Sequence, residues 1–191
     1  MAIEVEIKIK LKNPTRVRQK LLSIGAKDLG EQLELDIFYD TGRDGFRKAD
    51  QVRRLRQQGK ISILTYKGPK ELVSGMQKRL EIETQVGDFE KMRQILLALG
   101  HKEGVKAEKK RQTFEYEGLK ILIDKVAFIG WWIELEGTRS KILEVVEKLD
   151  LDPDKAEKRH YGEIYADFCQ KNNCPFVDEM IFEKEMIWKK S

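Results

Sequence analysis

The sequence predicts an α+β fold: an antiparallel β-barrel whose charged strand faces turn inward and whose helices pack on the outside. Three observations carry this expectation. Charged and apolar residues alternate strictly in at least six segments of the 191-residue chain. Amphipathic helices fall between those segments and need an apolar surface, which the other faces of the strands supply. The alternating charges are also sorted by sign, with carboxylates on the first, middle and last strands and bases on the strands between.

The first strand covers 2–12. Ile3, Val5, Ile7, Ile9 and Leu11 share one face, and Glu4, Glu6, Lys8, Lys10 and Lys12 share the other. Asn13-Pro14 supplies an N-cap and a proline at the first helical position, and the helix through Val17, Leu21, Leu22 and Ile24 stops at Gly25. A strand follows near 33–40, then a loop rich in Gly and Asp over 41–50, and two strands near 51–57 and 60–67 joined at Gln58-Gly59. Residues 68–76 read as a loop and 77–86 as an alternating strand. Gly87-Asp88 opens a helix that ends at Gly100. A hairpin around Glu117-Gly118 joins 105–116 to 119–128, a strand covers 131–137, and a helix covers 138–149. The tail reads as helix from about 155 to Gln170, and the 176–190 stretch is amphipathic and charged without a clear period. Residues 1–170 are expected to form the domain and 171–191 an extension packed on or near it.

The two halves echo each other. Glu6-Ile7-Lys8 precedes Gly25 by the same nineteen residues that separate Glu81, in Glu81-Ile82-Glu83, from Gly100. Two copies of a strand–helix–strands unit fit this, as does chance likeness of two amphipathic segments.

Charged residues make up 37% of the chain, above the usual quarter, while the net charge of +4 is too small to call for nucleic acid. No apolar run is long enough to cross a membrane and no signal peptide is evident, so a cytoplasmic protein is expected. Cys169 and Cys174 match no zinc spacing and read as reduced thiols.

The inward set comprises Glu4, Glu6 and Lys8; Arg54 and Arg56; Lys67; Arg79, Glu81 and Glu83; Lys109 and Arg111; Asp124; and Glu134 and Glu136. For one strand alone, a solvent-facing polar side explains such alternation equally well. For the whole set, an eight-stranded barrel has room for one ligand. Six or more enclosed carboxylates are tolerable only with cations among them. Arg and Lys suit a polyphosphate, and clustered carboxylates suit Mg²⁺ or Mn²⁺.

In order along the chain, Glu4-Val5-Glu6-Ile7-Lys8, Asp36-Ile37-Phe38-Tyr39-Asp40, Phe46 with Val52-Arg53-Arg54-Leu55-Arg56, and Thr65-Tyr66-Lys67-Gly68-Pro69 form one series. Arg79-Leu80-Glu81-Ile82-Glu83, Lys109-Lys110-Arg111, Asp124, and Gly130 with Ile133-Glu134-Leu135-Glu136 continue it. This series, over about 2–165, resembles the CYTH superfamily, the triphosphate tunnel metalloenzymes. The likeness is to the branch that holds class IV adenylyl cyclases and their archaeal relatives. Arg53 departs from the family pattern, which has an apolar residue there, and is expected to face outward. The resemblance implies a closed eight-stranded antiparallel tunnel. Glu4, Glu6, Asp124, Glu134 and Glu136 would hold Mg²⁺ or Mn²⁺, with Glu81 and Glu83 as additional candidates. Lys8, Arg54, Arg56, Lys67, Arg79, Lys109 and Arg111 would bind the phosphates of ATP or another polyphosphate. Lys8 and Lys67 are the candidate catalytic proton acceptors, since cations nearby depress a lysine's pKa. Tyr39 is a further ligand-contact candidate.

The implied reaction is conversion of ATP to cyclic AMP and pyrophosphate. Hydrolysis of inorganic, thiamine or nucleoside triphosphate is the alternative, and a non-catalytic nucleotide or polyphosphate binder a further one. Neither nucleic acid nor membrane is expected as a partner, and the sequence leaves the oligomeric state open, with a homodimer among the options. His160, Tyr161 and His101 read as core or surface residues. One indole of Trp131-Trp132 is expected under the helices and the other near the tunnel mouth.

Overall fold

The computed structural model describes residues 2–40, 49–73, 76–174 and 178–189. Phe46 and most of the expected 41–50 loop lie outside the described residues, as do parts of the 176–190 stretch.

Alternation in sequence becomes the wall of a closed barrel. The strands are β1 (Ala2–Lys10), β2 (Lys27–Asp40), β3 (Val52–Gln58), β4 (Ile61–Lys67), β6 (Met76–Val86), β7 (Lys102–Tyr116), β8 (Leu119–Val126) and β9 (Gly130–Glu136). They follow one another in space as β1-β9-β8-β7-β2-β3-β4-β6, and β6 pairs with β1 to close the ring. Every one of these pairings is antiparallel. This is a closed eight-stranded antiparallel barrel, as the sequence predicts. Among the described residues, two short strands lie off the ring. β5 (Glu71–Val73) pairs with β6, inside the stretch expected to be loop, and β10 (Glu179–Met180) runs parallel to β7.

The period-two pattern decides which side faces in. Ile7 and Ile9 of β1, Phe114 of β7, Ile121 and Ile123 of β8, and Ile133 and Leu135 of β9 form one outer core. It is covered by Val17 and Leu21 of α1 (Pro14–Ser23) and by Ile142, Val145 and Val146 of the helix Arg139–Lys148, here α3. Each such fully buried side chain contributes about 1.5–3 kcal/mol. A smaller core joins Ile37 and Tyr39 of β2 and Leu55 of β3 to Leu96 of α2 (Phe89–Ala98). A third joins Val105, Val126 and Trp132 to Ile164, Tyr165 and Cys169 of α4 (Tyr161–Lys171), with Phe182 and Trp188 of α5 (Phe182–Trp188) alongside.

The echo between halves is geometric as well. Both α1 and α2 end at a glycine with positive φ, +89° at Gly25 and +85° at Gly100. In each case the next residue's N–H reaches back to the helix, Ala26 to the Leu21 carbonyl and His101 to the Leu96 carbonyl. A long strand then follows, β2 or β7, and after it a hairpin.

One expected element is corrected. The tail is not helical from 155. Pro153–Lys155 form one 3₁₀ turn, and the chain then runs extended, with Ala156 bridged to Ile9 and the Glu157 N–H donating to the Lys8 carbonyl. Helix begins only at Tyr161, where Glu163 Oε2 accepts the His160 N–H at 2.7 Å. Pairing with the barrel outcompetes helix propensity over these residues.

Candidate active site

The strand register places the inward side chains opposite one another around the ring. Glu4 faces Arg79 across β1 and β6, and Lys8 faces Glu134 across β1 and β9. Arg111 faces Asp124, Lys109 faces Glu34, Arg56 faces Asp36, and Lys67 faces Glu81. Each of these pairs joins opposite charges. Glu6 and Glu136 are also directly opposite and are both carboxylates. Like charges in that position are destabilising.

The cationic half is tightly knit. Arg111 grips Asp124 with two bonds, Nε to Oδ1 at 2.7 Å and Nη2 to Oδ2 at 2.6 Å, and reaches Glu134 Oε2 at 2.5 Å. Arg56 grips Asp36 the same way at 2.6 and 2.9 Å and lies 3.1 Å from Glu34. Lys109 lies within 3.4 Å of Glu34 and 3.7 Å of both Asp36 and Asp124. Burial opposes ionisation of Asp36, but Arg56, Arg54 and Lys109 outweigh it and hold the carboxyl far below its usual range. Burial likewise opposes charge on Glu134, and Arg111, Lys109 and Lys8 overcome it. Arg54 donates to Thr65 Oγ1 and Glu83 Oε1, both at 3.1 Å. Arg79 is spent on backbone, donating to the Gly68 and Asp50 carbonyls.

The carboxylate half is different. Glu4, Glu6 and Glu136 each bring an oxygen within 4.8 Å of the others. Burial pushes the Glu6 carboxyl up to about 7, helped by Glu134 and Glu4. Lys67 sits 2.6 Å from Glu4 and 3.1 Å from Glu81, and Lys120 donates to Glu136 at 2.9 Å from the rim. Three half-buried carboxylates with nothing but oxygen donors fit a hard divalent cation, which would remove the Glu6–Glu136 repulsion.

The predicted metal set therefore divides. Glu4, Glu6 and Glu136 come together, whereas Asp124 and Glu134 are held by Arg111 and are not in that cluster. Glu81 and Glu83 flank it through Lys67 and Thr65. The proton-acceptor reading of Lys67 does not fit its surroundings. Burial disfavours its charge, but Glu4 and Glu6 outweigh that and hold its pKa above the ordinary lysine value. The lysine that burial and neighbouring Arg111 and Arg56 do lower is Lys109. Tyr39 is corrected too: it is 4% exposed and packs outside with Ile37, Leu55 and Leu96, because odd positions of β2 face the helices. Arg53 does face outward, 2.8 Å from the His101 ring.

Sequence reasoning passed over Glu34, Thr65 and Tyr161. Glu34 and Asp36 carried the same two-apart signal as the other pairs. Thr65 is uncharged and gave none. Tyr161 was assigned to a helix, yet it reaches into the barrel, its hydroxyl 3.4 Å from Asp124 Oδ2.

Residues 2–160 match the CYTH domain family. The chain belongs to the CYTH family. A candidate adenylate cyclase of Methanocaldococcus jannaschii is 33% identical over 173 residues, covering 85% of this chain and 98% of that protein. Among solved structures, a candidate adenylate cyclase from Vibrio parahaemolyticus superposes with a TM-score of 0.78 at 21% identity, covering 86% of this chain and 98% of that one. A Hippeastrum candidate adenylyl cyclase, described as revealing a dominant triphosphatase activity, gives 0.64 at 15% identity, covering 92% and 98%. At those identities the two structures speak for the fold alone. CYTH family members are adenylate cyclase-like or triphosphatase enzymes.

Proposed function

We propose that this CYTH enzyme converts ATP to cyclic AMP and pyrophosphate in its tunnel and depends on Mg²⁺ or Mn²⁺. The observation that carries this reading is the like-charged Glu6–Glu136 pair, with Glu4 beside it, in a barrel that also buries Lys8, Arg56, Lys109 and Arg111. Glu4, Glu6 and Glu136 would hold the metal, which when bound neutralises charge on the phosphate chain. Arg54, Arg56, Lys67, Lys109, Arg111 and Lys8 bind and orient the phosphates. Their present carboxylate partners keep these cations in place and exchange them for phosphate oxygens when the substrate enters. Lys67 acts as a charged donor. The M. jannaschii relative supports the cyclase reading, and pyrophosphate then leaves as the ribose 3′-hydroxyl attacks the α-phosphorus.

The Hippeastrum protein supports a second reading, hydrolysis of a triphosphate, through the same binding residues. We take 1–170 as the tunnel domain and 171–191 as its extension, in a cytoplasmic homodimer that binds neither nucleic acid nor membrane. The test is to incubate pure protein with ATP, inorganic triphosphate or thiamine triphosphate plus Mg²⁺ or Mn²⁺, and to follow cyclic AMP, pyrophosphate and phosphate separately. Cyclic AMP with equimolar pyrophosphate is expected. Phosphate release alone would favour hydrolysis, and tight binding without product would refute both reactions.

A further inference from the structure

The end of the tunnel where β1 finishes is built by the stretch that leads into α4. Glu157, Lys158 and Arg159 lay their carbonyls across barrel side chains. Gln77 donates to the first at 3.4 Å, Lys70 to the second at 3.2 Å and Lys8 to the third at 2.6 Å. Tyr161 follows and turns its ring inward. The Lys8 ammonium lies 4.5 Å from the ring centroid and the Lys109 ammonium 5.8 Å, from strands on different sides of the ring. The hydroxyl points to Asp124, and the Trp132 indole meets the ring edge-on at 5.7 Å. Tyr161 thus touches groups from β1, β7, β8 and β9 at once.

We propose that Tyr161 is a positioning residue that fixes Lys8 and Lys109 at the inner end of the tunnel and sets how long a phosphate chain fits. This rests on the tunnel binding a triphosphate. A π face can hold two ammonium groups side by side without neutralising either, which a carboxylate cannot do. The ring adds no negative charge beside Lys8, while Lys109 exchanges Glu34, Asp36 and Asp124 for the incoming anion, and the ring marks the depth at which that anion stops. Lys8 is additionally tethered by the Arg159 carbonyl, which holds its ammonium beside the ring and opposite Glu134.

The test is titration of the full chain, with Mg²⁺ present, with pyrophosphate, tripolyphosphate and tetrapolyphosphate, read by calorimetry and by intrinsic tryptophan fluorescence, to which Trp131, Trp132 and Trp188 all contribute. Tyr161→Leu and Tyr161→Met remove the π face. Either is expected to weaken tripolyphosphate about tenfold and to narrow the preference for tripolyphosphate over tetrapolyphosphate. The loss should appear in KM with kcat within about twofold. Tyr161→Phe keeps the ring and loses the hydroxyl's contacts with Asp124 and Glu134, so a loss of about twofold to threefold is expected. Unchanged affinity and ranking in a folded Leu or Met variant would overturn the proposal. So would a Phe variant as weak as the others, since the hydroxyl would then carry the effect. If the unsubstituted protein binds no phosphate chain of any length, the triphosphate reading itself falls, and this inference with it.

Discussion

Glu6→Gln should make the metal-free protein more stable at alkaline pH, which is unusual for a change in an active site. Glu6 stands opposite Glu136, and burial raises its carboxyl from 4.5 to about 7. The folded state therefore keeps a proton that the unfolded chain releases above 4.5. Stability is lost as pH rises from about 4.5 to 7 and stays lost above. A displacement of that size is worth about 3 kcal/mol. Water at the half-buried site screens part of it, leaving about 1–2 kcal/mol. For a chain of this length that is a Tm gain of about 2–8 °C for Glu6→Gln at pH 8 in chelator. At pH 4 the gain should vanish. Adding Mn²⁺ at a hundred times its Kd should raise the unsubstituted protein by about 2.7 kcal/mol and the variant by much less. Differential scanning fluorimetry at the two pH values, with and without metal, reads all four quantities. A variant less stable than the parent at pH 8 in chelator, or equally stabilised by Mn²⁺, would refute the argument.

Arg111→Met should destabilise by about 3–5 kcal/mol, because Asp124, which is 0% exposed, would lose its two-bond partner and keep only the more distant Lys109 and the Tyr161 hydroxyl, beside a Glu134 that also loses Arg111; urea denaturation measures it. Lys67→Met should weaken phosphate binding by about 1.5–3 kcal/mol and leave the alkaline limb of the pH–rate profile in place, since Glu4 and Glu6 hold Lys67 in its charged form. Arg53→Ala should leave kcat/KM within about twofold, as its guanidinium lies against His101 on the outer face. Tyr39→Phe should likewise leave substrate affinity alone, given its place in the outer core.

The barrel was legible because period two is a strong signal where every strand repeats it. Once α1, α2 and α3 claim the apolar faces, the charged faces have only the interior left. Which charges meet was not legible, because it depends on register. One step along β9 separates Glu134, bound to Arg111, from Glu136, which faces Glu6. Sequence spacing treats those two glutamates alike, and only pairing with β1 tells them apart. Tyr161 escaped for another reason. The stretch from 156 to 160 has the composition of a helix entry, yet it is held straight by long-range bonds to Lys8, Lys70 and Gln77. No local pattern encodes contacts made more than seventy residues away.

The central claim is that the register sets two inward carboxylates, Glu6 and Glu136, directly opposite each other for a metal to bridge. Crystals grown with Mn²⁺ and a non-hydrolysable ATP analogue, measured at the manganese absorption edge, test it most directly. The account predicts an anomalous peak coordinated by Glu4, Glu6 and Glu136 together with phosphate oxygens. A peak held by Asp124 and Glu134, with Arg111 displaced, would contradict it.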